Sequence, residues 1–261
     1  MDKKLISIII PVYNEEVNIP LVYDALSQTA NGANYNFEYL FVDDGSTDAS
    51  AKAIESLALA DPKVRLVEFS RNFGKEMATT AGLHAAKGDV VIMVDADLQH
   101  PPHLIPLMVA EWQSGAEVVI GIRTSNNGEG VVKRWGSVLF YHIMRLISET
   151  DFERGETDFR LLDRAVVDAY KTLPEHERMT RSLINWLGFR GAYVYFEARA
   201  RGQGQAQCST AKLFRLALRS FVSNSLLPLR IAGYIGLGIT ILSLTVGTIV
   251  FVNRYVFGDV L

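Results

Sequence analysis

A short apolar run that ends in two carboxylates constrains the fold of this chain more than any other segment. Residues 90–94 (Val-Val-Ile-Met-Val) have the β-branched, apolar character of a strand that is buried on both faces. Asp95 and Asp97 follow at once, where open α/β sheets place their ligand crevice. Carboxylate oxygens in that position suit Mg²⁺ or Mn²⁺ bridging to phosphate. The alternative interpretation is a polar turn after a strand. Other parts of the sequence must decide between a metal site and a turn.

Predicted strands and helices alternate along the N-terminal half of the chain. The strands are predicted at 5–13, 38–42, 64–69, 89–94 and 117–122, and the helices at 14–29, 49–60, 75–86 and 103–114. In the first helix, Asn14 is the predicted cap, and Glu15 and Glu16 lie in the first turn. This alternation predicts an α/β fold with a mainly parallel central sheet and helices on both faces.

Two further predicted strands end in polar clusters, Tyr13-Asn14-Glu15 and Asp43-Asp44-Gly45-Ser46. Together with Asp95-Ala96-Asp97 they form the edge that a nucleotide crevice requires. The chain contains no Gly-X-Gly-X-X-Gly and no P-loop motif, which argues against dinucleotide-binding and P-loop folds. Beyond residue 123 the pattern predicts helices at 131–148, 163–173, 179–187 and 210–223, a compact polar segment at 157–160, and a strand at 193–200.

The composition excludes several classes of protein. With 261 residues the chain is long enough for one full domain and a remainder. A net charge of −3 and a pI near 6.0 argue against a dedicated nucleic-acid binder. The single cysteine, Cys208, rules out an internal disulfide framework and fits a reducing compartment. The N-terminus lacks the apolar core of a signal peptide, so the first domain is expected in the cytosol.

The C-terminal segment predicts a membrane span. Residues 231–252 contain no charged side chain and are long enough to cross about 30 Å of hydrocarbon as a helix; the alternative is a buried core helix. Arg215, Arg219 and Arg230 precede the segment, and this bias places the large domain in the cytoplasm, at the inner membrane. The predicted organisation is a catalytic domain at 1–204, a juxtamembrane amphipathic segment at 205–230, the span at 231–252 and a tail at 253–261.

An ordered set of motifs over about residues 5–250 resembles glycosyltransferase family 2, in the branch of dolichyl-phosphate mannose synthases and bactoprenol (undecaprenyl-phosphate) sugar transferases. The motifs are Ile10-Pro11-Val12-Tyr13-Asn14-Glu15, Val42-Asp43-Asp44-Gly45-Ser46, Ser70-Arg71-Asn72-Phe73-Gly74-Lys75, Asp95-Ala96-Asp97-Leu98-Gln99-His100-Pro101-Pro102 and Asp158-Phe159-Arg160-Leu161-Leu162. The resemblance implies a GT-A fold. It also implies an inverting, metal-dependent transfer of a hexose from a UDP- or GDP-sugar to polyprenyl phosphate.

The resemblance also assigns residues of this chain to the parts of such a site. The implied donor-binding residues are Pro11, Tyr13, Glu15, Asp44, Arg71, Lys75 and Asp95. The implied ligands of Mg²⁺ or Mn²⁺ are Asp95, Asp97 and Gln99, and the implied catalytic residues are Asp97 and Arg201. For Arg71 and Lys75, the alternative is a local ion pair at the start of a helix.

The acceptor would be a phosphomonoester, which is largely a dianion at pH 7 and must be held against an anionic donor. Cationic side chains would hold it, and arginine suits bidentate contact with phosphate. The candidates are Arg123, Lys133, Arg134 and Arg201, with Ser137 beside them. Each cation has the alternative of a solvated surface charge. Asp43 is interpreted as a turn residue, and His100 and His103 as residues of the pocket rim or the surface.

One departure from the branch affects the predicted acceptor side. Where the branch usually carries Ser-Lys-Tyr after Arg-x-x-Gly-x, this chain carries Ala206-Gln207-Cys208. A hydroxyl, a positive charge and an aromatic ring are therefore missing. The second membrane helix that bacterial members commonly carry is also missing. Two alternatives stay open: a family 2 transferase acting on a polysaccharide or other membrane acceptor, and a catalytically weakened binding or scaffold homologue, which the altered segment at 206–208 motivates. A homo-oligomer is compatible with either.

Overall fold

The computed structural model describes residues 3–124, 155–175, 179–197 and 227–257. The described residues up to 197 belong to one compact unit, and residues 227–257 belong to a second. The predicted helices at 131–148 and 210–223 and the altered segment at 206–208 lie outside the described residues. The first unit is an α/β domain, as the alternation of strands and helices predicts.

The first unit contains seven strands and six helices within the described residues. The strands are β1 (Leu5–Val12), β2 (Asn36–Asp43), β3 (Val64–Glu68), β4 (Val90–Met93), β5 (Val118–Thr124), β6 (Glu156–Asp163) and β7 (Gly191–Glu197). The helices are α1 (Asn18–Ala30), α2 (Ser50–Ala60), α3 (Lys75–Ala85), α4 (Ile105–Gln113), α5 (Arg164–Lys171) and α6 (Thr180–Trp186). A 3₁₀ turn over Pro102–Leu104 leads into α4.

The strands form one mixed sheet in the order β3-β2-β1-β4-β6-β5-β7. Only β6 runs against its two neighbours among the described strands. The prediction of a compact polar segment at 157–160 is therefore wrong, because this stretch is the first half of β6. The reversal brings the beginning of β6 beside the end of β4, where Met93 pairs with Arg160.

Two hydrophobic clusters cover the two faces of the sheet. Successive residues of β1 alternate between them, with Ile8 and Ile10 in one cluster and Ile9 in the other. The first cluster includes residues of α1, α2 and α4, and the second includes residues of α3, α5 and α6. The central strands are buried on both faces, which is why residues 90–94 are apolar without alternation.

The first helix begins later than predicted. It starts at Asn18, its first turn contains no acidic residue, and the preceding Val17 provides no side-chain cap. Asn14 is not the cap, because it has a left-handed backbone (φ 55°) and its side chain is used elsewhere. Residues 13–17 consequently form a loop above the end of β1.

The C-terminal helix, α7, spans Leu227–Val252 and ends in a π-helical turn over Asn253–Phe257. Within the segment Gly233–Tyr255, the most apolar stretch of 18 residues has a mean hydropathy of 2.3, and none of that stretch is buried. By length and composition this helix is able to cross a membrane. It overlaps the span that the sequence predicts at residues 231–252.

Candidate active site

A cavity of about 290 Å³ opens at the carboxyl ends of β1, β2 and β4. This is the point where the strand order reverses, because the chain runs outward from β1 to β3 and then returns to β4 on the other side. The residues that line the cavity are Pro11, Val12, Tyr13, Glu15, Asp44, Asn72, Gly74, Lys75, Ala78, Asp95, Ala96 and Asp97. The three polar strand ends therefore meet in one crevice.

The loops after β1 and β2 bind each other through side chain to backbone hydrogen bonds. Asn14 Oδ1 accepts the N–H of Thr47 at 2.8 Å, and the N–H of Asn14 donates to Ser46 Oγ at 2.9 Å. The carboxylate of Glu16 accepts the N–H of Ala49 at 2.9 Å, which gives a hydrogen-bond partner to the backbone just before α2. These bonds hold the mouth of the cavity beside Tyr13, whose ring is half exposed.

Asp43 and Asp44 differ in their partners. Asp43 accepts hydrogen bonds from the N–H and the hydroxyl of Ser46, so it holds the turn after β2. Asp44 is buried and lines the cavity. Its carboxylate accepts the N–H groups of Phe73 at 2.7 Å and Gly74 at 2.9 Å. Asp44 thus fixes the loop before α3 against the cavity.

Gly45 allows the same loop to approach β2 closely. Its φ is +67°, and a Cβ at this position would lie 2.4 Å from the carbonyl carbon of Arg71. Only glycine tolerates both the backbone conformation and the contact. The guanidinium of Arg71 lies over the ring of Phe73 at 4.0 Å, on the outside of this loop.

Asp95 and Asp97 lie in a turn beyond β4, which ends at Met93. The turn has its own hydrogen bonds: the N–H of Asp95 donates to His100 Nδ1 at 3.1 Å, and the N–H of Gln99 donates to Asp97 Oδ1 at 3.1 Å. Leu98 between them has a left-handed backbone with a φ of 58°. Strand β4 therefore does not continue through Asp95 and Asp97, and the two carboxylates do not project from one face of a strand.

His100 is buried behind this turn, which contradicts its interpretation as a residue of the surface. Its ring stacks on Phe159 at a centroid distance of 5.3 Å. Burial lowers the pKa of His100 below 6.5 although Asp95 opposes this shift, so the imidazole is neutral at pH 7. Because Nδ1 accepts a hydrogen bond, Nε2 carries the proton, and it lies 3.8 Å from the Asp95 carboxylate.

Lys75 joins Asp95 of the cavity lining to Asp158, which lines a smaller adjoining pocket. Its Nζ lies 2.6 Å from Asp95 Oδ1 and 2.9 Å from Asp158 Oδ2. Arg181 of α6 contacts the other oxygen of Asp158 at 2.7 Å. Burial alone would raise the pKa of Asp158, but the charges of Lys75 and Arg181 outweigh burial and hold it far below its usual range. Asp158 is therefore a carboxylate at any physiological pH.

The strand that contains Asp158 also contains a buried ion pair, between Arg160 and Glu156. Arg160 is fully buried; its guanidinium contacts Glu156 at 2.7 Å and Asn185 Oδ1 at 2.8 Å. Burial lowers the pKa of Arg160 to about 10, so the side chain stays charged near neutral pH. Because Asn185 belongs to α6, the pair ties the beginning of β6 to the helix that carries Arg181.

The structure brings together seven of the predicted site residues. Those that line the cavity are Pro11, Tyr13, Glu15, Asp44, Lys75, Asp95 and Asp97. Three others, Arg71, Gln99 and Arg123, are absent from the lining among the described residues, and Arg123 is exposed at the end of β5. The remaining predicted residues, Lys133, Arg134, Ser137 and Arg201, lie outside the described residues.

Sequence reasoning missed the contributions of Asp158 and Arg181. The signal for Asp158 was present, since it begins one of the quoted motifs, but its polar surroundings predict a loop and not a strand beside Asp95. Arg181 lies within a predicted helix, and no local pattern distinguishes it from a surface arginine. Only the reversed pairing of β6 brings Asp158 within reach of Lys75 and Arg181.

The oxygen donors in the cavity fit a hard divalent cation that is shared with phosphate. In the described part of the chain, no group of three or more His, Cys, Asp or Glu side chains is arranged to hold a metal alone. Asp95 and Asp97 supply two carboxylates, and a cationic ammonium already lies against Asp95. Mg²⁺ is typically bound by one or two carboxylates together with substrate phosphates.

Comparison with known proteins shows the family of the chain. Residues 7–171 match the family model described as glycosyl transferase family 2. The chain belongs to that family. It is 38% identical over 254 residues to a bactoprenol glucosyl transferase of Shigella phage SfV, covering 97% of this chain and 83% of the relative. It is also 38% identical over 231 residues to the uncharacterized glycosyltransferase YkcC of Bacillus subtilis, covering 88% and 72%. The protein is thus a glycosyltransferase of the bactoprenol sugar transferase branch.

Solved structures show the same GT-A fold. A mannosyltransferase, PcManGT from Pyrobaculum calidifontis in complex with GDP-Man and Mn²⁺, superimposes with a TM-score of 0.57 at 18% identity, covering 86% of this chain and 63% of that one. Glucosyl-3-phosphoglycerate synthase from Mycobacterium tuberculosis, in complex with Mn²⁺, UDP-glucose and phosphoglyceric acid, gives 0.58 at 20% identity, covering 85% and 79%. At such identities the likeness concerns the fold alone.

Proposed function

We propose that this glycosyltransferase moves a hexosyl group from a UDP- or GDP-sugar to polyprenyl phosphate at the cytoplasmic face of the membrane. The observation that carries the proposal is the cavity at the ends of β1, β2 and β4, which combines Tyr13 and Asp44 with Asp95 and Asp97. The relatives named bactoprenol glucosyl transferase support a lipid acceptor, and both named solved structures hold a nucleotide-sugar donor.

The donor lies in the cavity with its base between the loops after β1 and β2. Tyr13 stacks on the base, and Asp44 accepts a ring N–H through the lone pairs that its two backbone donors leave. Glu15 and Pro11 complete this wall of the cavity. The diphosphate then reaches Lys75, Asp95 and Asp97, so the sugar is directed toward β6.

Asp95 and Asp97 would hold a divalent cation, Mg²⁺ or Mn²⁺, together with the donor diphosphate, with Gln99 as a further predicted ligand. When bound, this ion would supply Lewis-acid stabilisation of the negative charge that develops on the departing diphosphate. Asp97 is thereby the proposed catalytic carboxylate of the loop. The two solved structures that contain Mn²⁺ support a divalent ion but do not distinguish Mn²⁺ from Mg²⁺.

The acceptor phosphate attacks the anomeric carbon with one of its oxygens as the bond to the diphosphate breaks, which inverts the configuration. A phosphate dianion needs little proton removal, so positioning of the two anions is the main requirement. Cations and one hydroxyl are the proposed acceptor ligands: Arg123, Lys133, Arg134, Ser137 and Arg201. Helix α7 crosses the membrane, and Arg215, Arg219 and Arg230 favour the cytoplasm for the catalytic domain.

The proposal is tested with membranes that contain the full chain, undecaprenyl phosphate and radiolabelled UDP- or GDP-sugars. One donor is expected to yield a mild-acid-labile lipid product only when the lipid phosphate and Mg²⁺ or Mn²⁺ are present. Asp97→Asn removes a charge without changing volume, and it is expected to abolish the product while leaving the melting temperature unchanged. Transfer to endogenous polysaccharide without added lipid phosphate would overturn the proposed acceptor, and donor binding without any turnover would overturn the proposed transfer.

A further inference from the structure

The contact between Lys75 and Asp95 has a consequence for metal binding. The ammonium lies 2.6 Å from Asp95 Oδ1, and Asp95 is one of the two carboxylates proposed to hold the divalent ion. Mg²⁺ binds carboxylate oxygen at about 2.0–2.1 Å. An ammonium and a divalent cation on the same oxygen would repel each other strongly at such separations. The two cations therefore compete for Asp95.

Lys75 also contacts a second carboxylate, on which its ammonium can stay when it leaves Asp95. Its Nζ also lies 2.9 Å from Asp158, which Arg181 holds from the other side at 2.7 Å. Asp158 is thus anchored independently of Lys75. The backbone before Lys75 is fixed as well, because the N–H of Gly74 donates to Asp44. The flexible stem of the lysine lets its ammonium leave Asp95 while it stays on Asp158.

We propose that Lys75 is a positioning residue that occupies Asp95 in the free enzyme and releases it when metal and nucleotide bind together. After release the ammonium remains on Asp158 and faces the donor diphosphate. This inference rests on the proposed donor class, a nucleoside diphosphate sugar. Its consequence is that the metal alone binds weakly, and that the negative diphosphate favours metal binding partly by attracting Lys75 away from Asp95.

The test measures Mn²⁺ binding to the full chain in detergent micelles, from the free-Mn²⁺ signal in electron paramagnetic resonance, with and without UDP. Wild-type protein is expected to bind Mn²⁺ weakly alone and far more tightly with UDP. Lys75→Met is expected to tighten binding of Mn²⁺ alone by about fivefold or more and to reduce the enhancement by UDP, as linkage between two ligands requires. Asp95→Asn identifies the site, because it abolishes the binding that Lys75→Met enhances.

Two variants separate direct competition from a general change of charge. Arg71→Met removes a positive charge from the preceding loop, where the side chain lies on Phe73, and is expected to leave the affinity for Mn²⁺ alone unchanged. Lys75→Arg retains the charge and is expected to keep binding of Mn²⁺ alone weak. If Lys75→Met does not melt like the wild type, Lys75→Gln takes its place.

Unchanged or weaker binding of Mn²⁺ alone in the Lys75 variants overturns the inference, as does equal tightening in Arg71→Met. These measurements need no sugar transfer. Failure of the proposed acceptor would therefore leave the Mn²⁺ result intact, and failure of the competition would leave lipid-dependent transfer intact. The two proposals are thus separately testable.

Discussion

The imidazole of His100 accepts a hydrogen bond from the backbone N–H of Asp95, at 3.1 Å. This bond links the first candidate metal ligand to a buried ring that is stacked on Phe159 of β6. The side chain that sets the position of Asp95 is therefore behind the cavity and outside its lining.

Replacing His100 by phenylalanine is expected to weaken the loop that carries the carboxylates. Phenylalanine keeps an aromatic ring on Phe159 but accepts no hydrogen bond, so the N–H of Asp95 loses its partner at a cost of about 1–3 kcal/mol. The free energy of unfolding and the affinity for Mn²⁺ with UDP should both fall. The exposed His103 offers a matched control, since His103→Phe should leave both quantities unchanged. Wild-type values for His100→Phe would show that the bond does not position Asp95.

Gly45→Ala is expected to displace the loop that closes over the donor. The added methyl group would meet the backbone of Arg71 at 2.4 Å, and alanine is also strained at a φ of +67°. UDP affinity should fall together with stability, because the loop carries the two N–H groups that Asp44 binds. Gly32→Ala is the control: its φ is +83° but no atom lies within 4 Å of the new methyl, so only the backbone penalty of about 1–2 kcal/mol should appear. Equal UDP affinity in both variants would exclude a role for the close approach.

Breaking the buried ion pair of Arg160 and Glu156 is expected to destabilise the domain severely. Arg160→Met removes the ion-pair partner of Glu156, whose side chain is buried, and breaking a buried ion pair by removing one partner typically costs about 3–5 kcal/mol. The double variant Arg160→Met, Glu156→Met removes both charges and should be less destabilised than Arg160→Met alone. Urea unfolding of four proteins, the wild type, Arg160→Met, Glu156→Met and the double variant, measures the coupling. Additive losses would mean that the two side chains act independently.

Glu38 is expected to make stability depend on acid pH. Burial alone would raise the pKa of Glu38, but hydrogen bonds from Ser7, Lys87 and Arg65 outweigh it and lower the pKa below its ordinary value of 4.5. The unfolded chain therefore takes up the proton first as the pH falls. The stabilisation is present above that ordinary value and is lost as the pH falls through the lower pKa of the folded state.

Glu38→Gln should accordingly lower the unfolding free energy at pH 7, by about 1–3 kcal/mol, and flatten its decline below about pH 4.5. Thermal melts between neutral and acid pH measure both effects. Glu55, an exposed glutamate of α2, provides the control, because Glu55→Gln should reproduce the wild-type profile. An unchanged acid profile in Glu38→Gln would assign the pH dependence to other carboxylates.

The sequence predicted those parts of the site that depend on local pattern. Residues 90–94 reveal a buried strand by their apolar run, and the ends of parallel strands must meet at one edge of the sheet. Tyr13, Asp44, Asp95 and Asp97 therefore came together as expected. Asn14 did not act as predicted, because its side chain binds Thr47 of the neighbouring loop, and a preference for helix caps does not reveal such a partner.

The strand β6 was beyond local prediction for a different reason. Residues 157–160 (Thr-Asp-Phe-Arg) show no strand pattern, because two of them are charged and face other charges inside the protein. Their extended conformation is stabilised by pairing of β6 with β5 on one side and, from Arg160 onward, with β4 on the other. The charges are tolerated only because Lys75, Glu156 and Arg181 are present in the folded state. Both the strand pairing and the neighbouring charges depend on tertiary structure, so a local sequence pattern does not reveal them.

The left-handed backbone of Leu98 determines when the carboxylate loop can form. For a leucine, this conformation is disfavoured by roughly 1–2 kcal/mol, and no local sequence preference offsets it. The compensation comes from its side chain, which packs against the hydrophobic core. The conformation of the loop therefore depends on the packing of the core. The positions of the candidate metal ligands Asp95 and Asp97 are thus determined by apolar contacts of Leu98 as well as by the polar contacts inside the cavity.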